Sequence, residues 1–71
     1  MSSELDIITA LVSVRYDRGL TQEQVAHRMC TGRANLAHFE RHRRSPTLAT
    51  LLRYAEAVGA ELLVRPRTEG L

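Results

Sequence analysis

Residues 27 to 44 read HRMCTGRANLAHFERHRR, one cysteine, three histidines and five arginines within eighteen positions. His27 and Cys30 stand three apart, and His38 and His42 four apart, spacings that resemble two halves of a zinc site. The arginines point to a different ligand, a polyanion. A structural zinc ion needs four ligands converging tetrahedrally, and finger-type sites leave about a dozen residues between the pairs. Only seven residues separate Cys30 from His38, and they must hold both a turn and a helix start. The histidine spacing is therefore read as helical periodicity on one surface. No metal or other cofactor is expected, and Cys30 is expected to be a small, partly buried packing residue.

The charge distribution favours the polyanion. Residues 1–26 carry −2, with Arg15 and Arg18 against Glu4, Asp6, Asp17 and Glu23. Residues 27–44 carry +4, five arginines against Glu40, and the remainder balances, so the net +2 hides one basic quarter. With 71 residues the chain makes one small domain, near the lower limit for folding alone. A lone core of that size yields a net stability of only ~3–5 kcal/mol, so a second copy would help. Aromatics are confined to Tyr16, Phe39 and Tyr54, which leaves Leu, Ile, Val and Ala to build the core. The single cysteine excludes an internal disulfide. The apolar run IITALVSV (7–14) has an acidic flank before it and RYDR after it, which is not a signal peptide, and it is too short for a bilayer. A cytoplasmic protein without a membrane partner is expected. No nucleophile–base set, glycine-rich phosphate loop or convergent carboxylate pair stands out, so the chain reads as a non-enzyme.

These residues need elements to position them. Ser3 precedes an apolar pattern of Leu5, Ile8, Leu11 and Val12, a first helix that Gly19 ends, with Leu20 as the anchor after it. Thr21 with Gln24 forms a capping box for a second helix, whose inward residues are Val25, Ala26 and Met29. Cys30, Thr31 and Gly32 break the pattern, and a third helix spans about Arg33 to Arg41 with Leu36 and Phe39 inside. Residues 42–45 form a basic loop. Thr47 caps a fourth helix with an inward stripe of Leu48, Leu51, Leu52, Ala55 and Val58, closed by Gly59. The tail AELLVRPR is β-prone and stopped by Pro66, which reads as a short strand. The expected fold is all-α, four compact helices over residues 1–60, with a C-terminal strand and tail over 61–71.

Two short helices joined by a tight turn, the second starting among basic residues, form a helix-turn-helix, whose second helix fits the major groove of B-DNA. RYDRGLTQEQVAHRM followed by LAHFERHRRSPTLATLLRYAEAVG resembles the XRE-type family of phage repressors and Cro proteins over roughly residues 8–60. The resemblance implies a lambda-repressor-like fold and a transcriptional repressor that binds double-stranded DNA. Carried over position by position, it implies base contacts by Arg33, Ala34, Asn35 and His38. Gln22, Arg41, Arg43 and Arg44 would contact phosphates, and Arg15 with Glu40 would make a structural ion pair between the first and third helices. The chain departs from the family at Cys30, where glycine is common, at Gly32, where Ser or Thr is usual and Thr31 shares the capping role, and at His42. Ala34 cannot hydrogen-bond a base.

A single strand cannot satisfy its own backbone groups, so Leu62, Leu63 and Val64 are expected to pair with a second copy in a two-fold homodimer. Such a tail also makes the chain similar to antitoxins of type II toxin–antitoxin modules, which regulate their own operon and bind a toxin protein. A further alternative is a protein-interaction module that kept the fold and lost DNA binding.

Overall fold

The computed structural model describes residues 3–41, 46–64 and 66, with side chains from Ile7 onward. Four helices follow in order: α1 (Ser3–Asp17), α2 (Gln22–Arg28), α3 (Arg33–Glu40) and α4 (Leu48–Val58). The all-α fold expected from the sequence is what forms. Thr21 opens α2 with both halves of the capping box: its side chain accepts from the Gln24 backbone, and the Gln24 side chain accepts from the Thr21 backbone. Thr47 opens α4 by accepting from the Thr50 backbone N–H at 3.2 Å.

Three helices close in the same way, each with one left-handed residue that lets two later N–H groups turn back onto orphan carbonyls. After α1, Gly19 (φ 67°) donates to Tyr16 and Leu20 to Arg15. After α4, Gly59 (φ 78°) donates to Glu56 and Ala60 to Ala55. After α2 the same two bonds run from Cys30 to His27 and from Thr31 to Ala26, but the left-handed residue is Cys30 itself at φ 56°. This corrects the expected role of the cysteine. Cys30 is exposed and makes the turn; it does not pack.

The core is built from Ile8, Leu11, Val25, Ala26, Met29, Leu36, Leu51, Tyr54, Ala55, Ala57 and Val58. Phe39, expected inside, is half-buried and stacks on Tyr54 with ring centroids 4.9 Å apart. The buried stripe of α4 is rotated from the expected one. Leu48 and Leu52 are 66% and 49% exposed, while Tyr54 is fully enclosed. The phenol decides this rotation, because its hydroxyl has a polar partner inside, as the site below shows. No strand forms among the described tail residues, and a lone strand within one chain has no backbone edge to pair with. Leu62 instead packs against the core, whereas Leu63 and Val64 stay exposed. No described helix is long and apolar enough to cross a membrane.

Candidate nucleic-acid interface

The third helix carries two faces with different jobs. Leu36 is buried and Phe39 leans on Tyr54, which fixes the inner side. Arg33, Ala34, Asn35 and His38 are all exposed, so the four residues expected to face bases lie on the open surface of one helix. An α-helix with its side chains is about 10–12 Å across, close to the width of a B-DNA major groove of about 12 Å. Asn35 donates to the Thr31 hydroxyl at 3.2 Å, so Thr31 steadies that side chain. Gly32 at the start of α3 offers no side-chain cap, and the expected sharing of that role by Thr31 does not take the form of a backbone cap.

The angle of α3 is set from its far end. Glu40 receives Arg15 in a forked pair, Nε to Oε2 at 2.8 Å and Nη2 to Oε1 at 3.0 Å. Gln22 Nε2 donates to Oε1 at 2.9 Å, and the Tyr54 hydroxyl donates to Oε2 at 2.5 Å. Arg15 Nη1 also donates to the Leu20 carbonyl at 2.9 Å, so one guanidinium ties α1 both to α3 and to the connection before α2. The ion-pair side chains are only 6% and 7% exposed. Burial pushes the Glu40 carboxyl upward, yet the bonds from Gln22, Tyr54 and Arg15 outweigh it and hold the group below the ordinary carboxylate value. Burial works against the Arg15 charge as well, and Glu40 outweighs it, leaving the guanidinium more firmly protonated. Burial and then Glu40 raise the Tyr54 phenol far above its ordinary value.

The sequence pointed to the pair of Arg15 with Glu40; it did not point to Tyr54, and it gave Gln22 a single role. One N–H of Gln22 is committed to Glu40, and its second amide N–H has no partner among the described residues. Arg28, counted within the basic segment, donates from Nη1 to the Ala57 carbonyl at 2.7 Å and satisfies the last turn of α4. Arg53 reciprocates by donating from Nη2 to the Met29 carbonyl at the end of α2. Arg41 is exposed at the end of α3. Arg43, Arg44 and His42 lie outside the described residues. Among the described residues, no three of His, Cys, Asp and Glu come together as metal ligands would.

This arrangement can present a short helix to a groove and brace it against rotation. The helix-turn-helix family model matches residues 13–63, which contain the last turn of α1, all of α2 to α4, and the first part of the tail. A similar protein is an uncharacterised HTH-type transcriptional regulator, y4dJ, of Sinorhizobium fredii, 41% identical over 58 residues that cover 79% of this chain and 75% of that one. No solved structure matches significantly. With the two-helix motif in place and most of the length matched, the chain belongs to the XRE-type helix-turn-helix family of transcription regulators.

Proposed function

We propose that the protein is a sequence-specific repressor of transcription that binds double-stranded DNA as a two-fold dimer, with α3 in the major groove. The observation that carries this reading is the exposed set Arg33, Ala34, Asn35 and His38 on a helix whose opposite side is held rigidly by Leu36 and Glu40. Arg33 is the specificity group, since a guanidinium reads guanine with two bonds, worth roughly 1–3 kcal/mol of discrimination. Asn35 and His38 supply further polar contacts, and Ala34 supplies only shape or contact with a thymine methyl. Gln22, Arg41, Arg43 and Arg44 contact phosphates. The three arginines contribute about −2.7 to the slope of log affinity against log salt. The name of the Sinorhizobium protein, an HTH-type transcriptional regulator, supports the coarser role in transcription regulation.

Selection of bound duplexes from a random pool tests this. A palindromic consensus with half-sites about one helical turn apart is the expected result. A pool that enriches nothing would move the assignment to a protein-interaction module. A second reading, an antitoxin that also binds a toxin protein, is favoured by the exposure of Leu63 and Val64. A hetero-complex that buries those two residues would distinguish it from a plain repressor.

A further inference from the structure

An open cleft of about 780 Å³ lies beside the bracing cluster, lined by Tyr16, Gly19, Thr21, Gln22, Glu23 and Arg33 together with Arg15. It joins the end of α1 to the starts of α2 and α3, so it borders both an expected phosphate contact, Gln22, and an expected base contact, Arg33. Tyr16 is 69% exposed although its ring is large and apolar. The Arg15 guanidinium sits over the ring, 4.5 Å from the centroid, and that guanidinium is itself held by Glu40 and by the Leu20 carbonyl. Among the described residues the Tyr16 hydroxyl has no hydrogen-bond partner, and Gln22 keeps one amide N–H beyond the one given to Glu40. Two neutral donors thus line the same cleft, and Gln22 is held in place by the bond that it gives to Glu40.

The cleft also has little net charge to offer. Arg15 is neutralised by Glu40, and the other charged lining residues, Arg33 and Glu23, are of opposite sign. Resting on the DNA-binding reading above, we propose that Tyr16 is a further contact residue, seating one backbone phosphate of the bound duplex with the second N–H of Gln22 through uncharged hydrogen bonds. A phosphate held this way releases no counterion to a protein cation, so the contact strengthens binding without adding to its salt dependence. Its use is positional. It fixes the depth and register of α3 in the groove through a rigid ring, while the arginines supply the long-range attraction.

The test is a salt series on the full chain. Tyr16→Phe keeps the stack on Arg15 and removes only the hydroxyl. Binding to a random-sequence duplex is measured at 50, 100 and 200 mM KCl for wild type, Tyr16→Phe and Arg41→Ala, the three concentrations being chosen within the range where the salt slope is well resolved. Tyr16→Phe is expected to bind about tenfold more weakly at every salt concentration, with a line parallel to wild type and an unchanged melting temperature. Arg41→Ala is expected to flatten the line by about 0.9. Wild-type affinity in Tyr16→Phe, or a line that converges on wild type as salt rises, overturns the neutral seat and leaves DNA binding standing. A loss of affinity accompanied by a lower melting temperature overturns it as well, since the hydroxyl would then serve the fold. Wild-type protein that binds no duplex at 50 mM KCl overturns the DNA-binding reading and the seat together.

Discussion

Glu40 is the residue on which the orientation of α3 depends, and its four hydrogen bonds come from three separate elements or connections. Removing one member of a buried ion pair leaves the other charge uncompensated, at a cost of about 3–5 kcal/mol, comparable with the whole net stability of a domain this small. The pH dependence follows from the same cluster. Glu40 has a depressed pKa in the fold, so its contribution is present above the ordinary carboxylate value and is lost as pH falls through the lower, folded value. Tyr54 has a raised pKa, so its contribution is whole below the ordinary phenol value of about 10 and shrinks as pH rises beyond it. Melting temperatures from pH 2.5 to 11 are therefore expected to decline at both ends (a range set to span about the ordinary carboxylate and phenol values). Tyr54→Phe should lower the plateau by about 1.5–3 kcal/mol, the cost of a hydrogen bond to a charged group, and flatten the alkaline decline. An alkaline limb that persists unchanged in Tyr54→Phe would assign the decline to another group.

At the scale of elements, what the sequence made legible was local. The capping box of Thr21 with Gln24, the Thr47 cap and the glycines after α1 and α4 are short-range signals, and each sits where its helix begins or ends. The exposed face of α3 was legible too, because Leu36 and Phe39 turn Arg33, Asn35 and His38 outward by helical period. The polar contacts that lock helix to helix were not legible. Arg28 onto Ala57, Arg53 onto Met29 and Tyr54 onto Glu40 join residues far apart in sequence, and no periodicity encodes them. Arg28 in particular looked like part of the basic surface and is used to finish α4. The stripe of α4 was misplaced toward Leu48 and Leu52 because apolar character alone cannot show that Tyr54 has a buried acceptor waiting. Cys30 was misread because a cysteine carries no conformational signature, although the family's usual glycine at that place marked the demand for a positive φ. That demand yields a prediction. Cys30→Gly removes the left-handed penalty of roughly 1–2 kcal/mol and gives back part of it through a freer unfolded chain. A net gain of about 0.5–1 kcal/mol, several degrees in melting temperature, is expected. A melting temperature at or below wild type would show that the turn accommodates cysteine without strain.

Over the whole molecule, a small core leaves little stability to spare, and the proposed dimer would add to it through the tail. Leu62 already packs on its own core, while Leu63 and Val64 are 84% and 99% exposed next to it. Their chain neighbour Leu62 is partly buried, so the two exposed residues begin next to the core. In the proposed dimer this segment pairs with its copy, satisfies the backbone edge that one chain cannot, and sets two α3 helices at half-site spacing. Linking two reading helices raises affinity by a factor on the order of 10²–10⁴ without any new DNA contact. Leu63→Asp with Val64→Asp should therefore sediment as a monomer at concentrations where wild type is a dimer. It should keep wild-type helical circular dichroism and bind a palindromic site about 100-fold more weakly, since neither residue supports its own core. Leu62→Asp is the contrasting variant and should lower the melting temperature, because it strikes the core directly. A wild-type chain that sediments as a monomer at tens of micromolar would remove the dimer and the half-site geometry with it. A double variant that unfolds would place Leu63 and Val64 in the fold of the single chain.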